Sequence, residues 1–263
     1  MDMGITGKTA LVAASSKGIG YASARQLAAE GARVIICARD ADALSTAAET
    51  IRRESGAEVL ALQADMSKAE DINKLFEEAN DQFSGVDILV NNAGGPPPGY
   101  FMDMTDADWQ TAHELTLMSA VRLTRLVLPG MRERRFGRII NITSVSVKQP
   151  IDHLLLSNSE RLAVVGWAKT LSNQVATEGI TINNVCPGWT RTARVASLLE
   201  ARSQSEGISV EEAEKTISDT IPMRRLGTAD ELASLVVYLA SGHAAYMTGT
   251  TIQVDGGLTA GYS

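Results

Sequence analysis

The sequence predicts an α/β domain built around one doubly wound, parallel sheet of about seven strands. Short apolar runs alternate with longer segments of helical period along all 263 residues. The runs are apolar on both faces, as strands are when helices cover both sides of a parallel sheet. Neither a repeat nor a Pro/Ser-rich linker divides the chain, so residues 1–263 are expected to form a single domain.

The short apolar runs are the predicted strands. Crossovers between parallel strands are right-handed, and the ligands of such sheets bind at the carboxyl ends of the strands. Chemistry is therefore expected directly after each strand. The predicted strands are residues 9–13, 33–38, 58–62, 87–90, 137–142, 180–186 and 251–254.

The segments between the runs repeat apolar residues at helical spacing. Gly31 ends the first of these helices, and Pro129 with Gly130 predicts a break in the fourth. Residues 190–222 are polar and irregular in pattern, so no helix is assigned there. The predicted helices are residues 20–30, 42–54, 68–83, 106–135, 157–178 and 228–241.

Composition excludes several classes of protein. With 24 Lys and Arg against 31 Asp and Glu, the net charge of −7 argues against nonspecific nucleic-acid binding. The longest stretch without an acidic or basic residue, 232–254, is interrupted by turn residues and does not have the pattern of a membrane span.

The first residues lack the features of a targeting segment. The two cysteines, Cys37 and Cys186, lie in apolar runs. A cytoplasmic protein with buried, free thiols is expected.

A glycine-containing turn follows the first predicted strand. In the segment from Ala14 to Gly20, the residues Gly18 and Gly20 permit a tight turn and close helix packing. The N–H groups at the start of the next helix attract a pyrophosphate. The alternative interpretation is a simple turn between strand and helix, because a Gly-x-Gly by itself is a weak signal.

The end of the second strand indicates which dinucleotide is preferred. A ribose 2′-phosphate is matched by arginine, whereas a free 2′-hydroxyl is matched by an acidic residue. Ala38 is followed by Arg39, and Lys17 adds a second cation, which favours NADP(H) over NAD(H). Asp40, 20 residues after Gly20, is the competing signal for NAD. The alternative for Arg39 and Lys17 is that both are solvated surface cations.

Together with motifs after the later strands, the pattern resembles the short-chain dehydrogenase/reductase family over essentially the whole chain. Asn91-Asn92-Ala93-Gly94 follows the fourth strand, Ser144 ends the fifth, and Pro187-Gly188 follows the sixth. Arg225-Leu226-Gly227 and the ending from Thr248 to Gly257 resemble the 3-oxoacyl-ACP reductase branch. The resemblance implies cofactor-binding roles for Ser16, Lys17, Gly18, Ile19, Gly20, Arg39, Asp65, Met66, Asn92, Gly94, Pro187, Gly188, Thr190 and Thr192.

The resemblance also implies a Rossmann-type fold with strand order 3-2-1-4-5-6-7. Within it, residues 190–222 are expected to form a lid on the substrate side. A homotetramer or homodimer is expected, because the last helix and strand resemble the family's assembly surface. The expected substrate is a small molecule or an acyl thioester. No metal, nucleic acid or membrane is expected as a partner.

The chain differs from the family at one position of the glycine loop and at catalytic positions of the family. Ala14 replaces the family's first glycine, and Thr116 replaces its active-site asparagine. Beside Ser144, the tyrosine and lysine positions are Ser157 and Arg161, and no Tyr-x-x-x-Lys occurs anywhere in the chain. A tyrosine is an acid that a nearby lysine can tune, whereas serine is far weaker and arginine does not usefully deprotonate.

Three functions therefore remain open. The first is an NADP(H)-linked oxidoreductase with a nonstandard acid, for which His153, Lys148 and Tyr100 or Phe101 are candidate substitutes. Each of these has a structural alternative as a core, surface or loop-covering residue. The second is a catalytically silent binding scaffold or partner subunit, and the third is non-redox chemistry in the same cleft.

Overall fold

The computed structural model of the protein describes residues 2–261 and places one seven-stranded parallel sheet at their centre. The strand order is β3-β2-β1-β4-β5-β6-β7, which confirms the predicted winding. The strands are β1 (Thr9–Val12), β2 (Arg33–Ala38), β3 (Val59–Gln63), β4 (Ile88–Asn91), β5 (Gly137–Ile142), β6 (Ile180–Pro187) and β7 (Thr251–Val254).

Helices cover both faces of this sheet, and each face has its own apolar core. Leu27, Leu44 and Val236 meet one face, while Ile72, Leu123 and Ala168 meet the other. The strands therefore carry apolar side chains in both directions, as their composition predicts. The helices are α1 (Gly18–Ala29), α2 (Ala41–Ser55), α3 (Ala69–Phe83), α4 (Asp106–Ala112), α5 (Ser119–Arg134), α6 (Leu155–Val175), α7 (Ala193–Glu206), α8 (Val210–Thr220) and α9 (Ala229–Ala240).

The irregular structure predicted for residues 190–222 was wrong. Helices α7 and α8 occupy most of this segment and pack around a small third core that includes Leu199 and Ile217. Only one residue of α7 and two of α8 are buried. So few apolar contacts leave little of the 3.6-residue periodicity by which a helix is recognised in sequence.

The long fourth helix is interrupted at a different place from the one predicted. A π-helical turn over His113–Met118 separates α4 from α5, whereas α5 continues through Pro129. Pro129 is exposed and lies between the buried residues Val127 and Met131. Packing at these two neighbours holds the helix despite the missing N–H donor.

Both cysteines are free and fully buried, as predicted. Burial raises the pKa of the Cys37 thiol to about 12, and it also raises that of Cys186. Neither thiol therefore ionises near neutral pH. Within residues 2–261, the helices are all too short or too polar to cross a lipid bilayer.

Candidate functional site

A large cleft of about 780 Å³ lies at the carboxyl ends of the strands. Ala14 after β1, Ala38 at the end of β2 and Asn92 after β4 line one part of it. Ser144 after β5 and Pro187 at the end of β6 line another part. This is the edge where a doubly wound sheet binds its ligands, so the topology brings the dispersed motifs of the sequence into one place.

The glycine loop forms one wall of the cleft. A Cβ atom on Gly20 would lie 2.5 Å from the carbonyl oxygen of Ala14 and 2.7 Å from Nδ2 of Asn92, so only glycine fits there. Nδ2 of Asn92 donates hydrogen bonds to the carbonyl oxygens of Ala13 (3.2 Å) and Ala14 (3.1 Å). The motif after β4 therefore fixes the shape of the loop after β1.

Ala14 itself keeps the left-handed backbone conformation, with φ of 47°. The sequence predicts instead that its methyl group forces the loop outward or requires a negative φ. The tight turn between β1 and α1, held by Asn92, explains why the glycine-like conformation persists. This conformation is strained for an alanine.

The start of α1 is suited to hold an anion. Helix α1 begins at Gly18, and no side chain caps its first N–H groups. Ser16, Lys17 and Ile19 line the cleft beside this helix end. Uncapped N–H groups and the helix dipole together make a phosphate site.

Lys17, Arg39 and Asp40 line the cleft beside β2. The carboxylate of Asp40 caps α2 by accepting a hydrogen bond from the Ala43 N–H (3.0 Å). The competing acidic residue is thus engaged by the protein's own backbone, while Arg39 and Lys17 present exposed side chains.

Asp65 and Met66 line the cleft after β3. Burial opposes ionisation of Asp65, but hydrogen bonds from the N–H (3.0 Å) and hydroxyl (2.8 Å) of Ser67 outweigh it. The charge of Arg39 adds to this effect, and the pKa of Asp65 lies below its usual value. Asp65 is therefore an ionised acceptor held in a fixed position.

The segment after β6 closes the cleft from the other side. A Cβ on Gly188 would lie 2.7 Å from the Cα atom of Asp255, so the chain passes close there only because of glycine. The hydroxyl of Thr190 donates to the Gly188 carbonyl (3.0 Å), and the hydroxyl oxygen of Thr192 caps α7. Gly94 lines the opposite wall, where a Cβ would meet nothing within 4 Å.

Ser144, Ser157 and Arg161 meet at the inner end of the cleft. Nε of Arg161 donates to Oγ of Ser157 (3.1 Å), one helical turn before it on α6. The same guanidinium donates to the carbonyl oxygens of Ile142 (2.9 Å) and Thr143 (3.0 Å) at the end of β5. The oxygen of Ser144 accepts a hydrogen bond from the Ser146 N–H (3.1 Å).

Arg161 stays charged although its surroundings disfavour the charge. Burial, and secondly the nearby cation of Arg194, lower the pKa of Arg161 to about 10. A group with this pKa is protonated at neutral pH. Its role in the cleft is therefore that of a fixed cation and hydrogen-bond donor.

Thr116 lies behind this end of the cleft rather than in it. It lines an adjoining cavity of about 20 Å³ together with Asn91, Asn141 and Arg161. Within residues 2–261, the Thr116 hydroxyl and the Asn91 amide oxygen are buried and have no hydrogen-bond partner. The cavity is large enough for one water molecule.

Arg194 is a cleft residue that the sequence analysis missed. It extends from α7 and donates a hydrogen bond to the carbonyl oxygen of Pro96 (2.6 Å), in the loop after β4. Burial lowers its pKa. No motif marks this arginine, because it lies in the segment whose helices the sequence pattern did not reveal.

The candidate replacement acids do not line the cleft. His153 contributes its carbonyl oxygen to a hydrogen bond from the Gly99 N–H (2.7 Å), which fixes the proline-rich loop. Lys148 lies outside the lining residues as well. Tyr100 and Phe101 project from the loop with 62% and 69% of their surface exposed. The loop thus does not bring an aromatic side chain to Ser144.

Known proteins resemble the chain along nearly its whole length. A family model described as enoyl-(acyl carrier protein) reductase matches residues 13–259. Nodulation protein G of Rhizobium sp. (strain N33) is 40% identical over 97% of this chain and 98% of its own. The 3-oxoacyl-acyl-carrier-protein reductase of Escherichia coli (strain K12) is 36% identical over 97% of this chain and 99% of its own.

Solved structures agree with these relatives. The crystal structure of L-sorbose reductase from Gluconobacter frateurii, complexed with NADPH and L-sorbose, superposes with a TM-score of 0.95. The two chains are 35% identical, and the match covers 99% of this chain and 100% of that one.

Proposed function

The chain belongs to the short-chain dehydrogenase/reductase family, and from this premise we propose that it is an NADP(H)-binding oxidoreductase with a nonstandard active site. The observation that carries the proposal is the continuous cleft, which joins the glycine loop and Arg39 to Ser144, Ser157 and Arg161. Its expected substrate is the carbonyl or hydroxyl group of a small molecule or an acyl thioester.

The residues present fit the cofactor. The uncapped start of α1 suits a pyrophosphate, and the close packing at Gly20 and Gly188 fixes the two loops that border the cleft. Lys17 and Arg39 suit a 2′-phosphate, while one carboxylate oxygen of Asp40 is used in capping α2. The NADPH complex of the sorbose reductase also supports NADP(H) as the cofactor.

The inner end of the cleft supplies charge stabilisation in place of a tunable acid. When bound, the nicotinamide supplies or accepts the hydride. The hydroxyl oxygen of Ser157 accepts a hydrogen bond from Arg161. The O–H group of Ser157 therefore remains available to donate a hydrogen bond to a substrate oxygen. The guanidinium stabilises the negative charge that develops on that oxygen. Since neither group is a good acid at neutral pH, solvent provides the proton.

This arrangement predicts slow turnover. A lost general acid typically removes about 10²–10⁴ in rate, because protonation no longer accompanies hydride transfer. The absence of Tyr-x-x-x-Lys from the sequence also favours a second candidate, a catalytically silent scaffold that binds the dinucleotide without reducing a substrate.

Calorimetric titration with NADPH and NADH tests the proposal. NADPH is expected to bind about tenfold or more tightly than NADH, because the 2′-phosphate gains a charge-assisted hydrogen bond. Arg39→Ala should remove this preference, whereas Arg53→Ala, on the outer part of α2, should keep it. Equal affinity of the natural protein for both cofactors would refute the preference for NADP(H), and no affinity for either would refute dinucleotide binding.

An activity assay separates the two candidates. With NADPH and an acetoacetyl thioester, slow but cofactor-dependent consumption of NADPH supports the oxidoreductase. Tight NADPH binding with no consumption for any of a panel of ketones supports the silent scaffold.

A further inference from the structure

Two arginines from different parts of the fold line the same cleft. Arg161 extends from α6, and Arg194 extends from α7. Both are half-buried, and the charge of Arg194 is near enough to lower the pKa of Arg161. The protein thus holds two like charges close together in a partly desolvated place.

Protein groups fix both guanidiniums without neutralising them. Arg161 donates to the carbonyl oxygens of Ile142 and Thr143 and to Ser157, and Arg194 donates to that of Pro96. Among the ion pairs of residues 2–261, neither arginine has a carboxylate partner. Carbonyl oxygens satisfy N–H donors but do not offset a full positive charge.

The acidic residues of the cleft are engaged at its other end. Asp40 caps α2, and Asp65 accepts two hydrogen bonds from Ser67. Holding two cations together without a counterion costs free energy, and an incoming anion would remove that cost. The arrangement is therefore complementary to a negatively charged ligand.

We propose that Arg161 and Arg194 bind the carboxylate of the substrate, so that the protein acts on a small oxo or hydroxy acid. This inference rests on the proposed function and narrows its substrate class. The protein hydrogen bonds of Arg161 use its Nε and Nη1, so its Nη2 remains to donate to one carboxylate oxygen, and Arg194 adds further N–H donors for the same group. Ser144 and Ser157 lie beside this pair, where they can contact the neighbouring carbonyl or hydroxyl group.

The cofactor's phosphates are the other source of negative charge. Lys17, Arg39 and the start of α1 are suited to an anion at the glycine loop, away from the β5 end where Arg161 is anchored. We therefore assign the arginine pair to the substrate, and the experiment below includes a phosphate probe to separate the two sources.

The test uses calorimetric titrations of the full chain without cofactor. The probes are acetoacetate, its uncharged methyl ester and inorganic pyrophosphate. Arg194→Leu removes one cation, Arg194→Lys keeps the charge but not the paired donors, and Arg191→Leu is the matched control. Arg191 lies three residues away, pairs with Glu214 at the surface (2.6 Å) and does not line the cleft.

The natural protein is expected to bind acetoacetate roughly tenfold or more tightly than the ester, the range of one charge-assisted hydrogen bond. Arg194→Leu should remove most of this preference, Arg194→Lys should retain part of it, and Arg191→Leu should retain all of it. Pyrophosphate affinity should be the same in all four proteins.

Equal affinity for acetoacetate and its ester in the natural protein would overturn the inference without reference to any variant. A loss of pyrophosphate affinity in Arg194→Leu as large as the loss for acetoacetate would also overturn it, since the arginine would then serve phosphates. Because no cofactor is present, failure of NADPH to bind in a separate titration counts against the proposed function alone.

Discussion

At the scale of single residues, Ala14 combines a side chain and a backbone conformation that rarely occur together. Its φ of 47° lies in the left-handed region, which costs an L-residue roughly 1–2 kcal/mol relative to glycine. Hydrogen bonds from Asn92 to the carbonyl oxygens of Ala13 and Ala14 maintain the turn. The strain is thus stored in the loop proposed to hold the pyrophosphate.

Replacement of Ala14 by glycine is expected to relieve this strain. The free energy of unfolding of Ala14→Gly should rise by about 1 kcal/mol, since relief of strain exceeds the added freedom of the unfolded chain. Urea denaturation measures the change. Ala13→Gly, at a neighbouring buried residue without positive φ, should destabilise the protein. A lower stability of Ala14→Gly would contradict the strain.

Ser157 and Arg161 lie one helical turn apart, in hydrogen-bond contact and beside Ser144. Ser157→Tyr combined with Arg161→Lys is expected to create a tunable acid there. NADPH-dependent reduction of an acetoacetyl thioester should increase measurably, although it should stay far below that of a natural reductase. The surrounding pocket is not shaped for a tyrosine ring, which limits the gain.

The single variant Arg161→Lys is the control for this pair. It should show no gain, because lysine without tyrosine supplies no acid. A double variant that folds and binds NADPH but shows no turnover would indicate that Thr116 or the pocket shape is a further barrier. Rapid turnover by the natural protein would refute the interpretation that the tyrosine and lysine are needed.

At the scale of elements, the start of α9 depends on one carboxylate. Glu231 pairs with Arg225 through two hydrogen bonds (2.6 and 2.9 Å) and accepts another from the Thr228 N–H (2.8 Å). These contacts, with Arg225 first, lower the pKa of Glu231 to about 2 from an ordinary value of 4.5. Between these two values the unfolded chain binds more protons than the folded one, so stability rises with pH there.

Glu231→Gln is expected to flatten this pH dependence. The contribution of Glu231 is present above pH 4.5 and is lost as the pH falls toward 2, and the glutamine variant has no such group to titrate. Urea denaturation at a series of pH values between 2 and 6 measures the difference. Glu211→Gln, on the first turn of α8, is the control and should keep the natural slope. Identical slopes for Glu231→Gln and the natural protein would contradict the assignment.

Three central strands are joined by a ladder of buried amides. Asn141 of β5 accepts from Asn91 of β4 (2.8 Å) and donates to Asn184 of β6 (2.9 Å). Asn141→Leu would leave the Asn184 amide oxygen without this donor and would leave Thr124 as the remaining acceptor of the Asn91 amide, at a cost of about 1–3 kcal/mol for each lost bond. The free energy of unfolding should fall by about 2–5 kcal/mol in a denaturation experiment. A loss below 1 kcal/mol would show that the ladder does not stabilise the sheet.

At the scale of the whole molecule, β7 leaves one side of the sheet open. It pairs only with β6 among the described strands, and all four of its residues, Thr251–Val254, are partly exposed. The unpaired N–H and C=O groups of an edge strand can pair with another chain. Together with the family resemblance of the last helix and strand, this favours a homotetramer or homodimer.

Light scattering during size-exclusion chromatography tests the assembly. The expected mass is two or four times the chain mass of 28.0 kDa. Charged residues at the edge, as in Ile252→Lys, should lower the measured mass if β7 lies in the interface. A natural protein that elutes with the mass of one chain at all concentrations would refute the proposed assembly.

Most of the fold follows from patterns that are local in the chain. Apolar runs such as 33–38 and 137–142 match β2 and β5 in full, because a strand buried on both faces leaves few polar residues to blur its limits. Helices with little buried surface, such as α7, leave no comparable signal. The helix break predicted at Pro129 does not occur, because tertiary packing can hold a helix through a proline.

The residues of the candidate site also fall into two groups: those that the sequence predicts and those that only the tertiary structure places in the cleft. Gly18 and Arg39 were predicted from their places after β1 and β2, and Ser144 and Pro187 from the resemblance to the family. The cleft brings all four together because parallel strands end at one edge of the sheet. Arg194 was not found, since only the path of α7 across the cleft places it near Arg161. The capping role of Asp40 and the positive φ of Ala14 likewise depend on where the backbone turns, which residue types and their spacing do not specify.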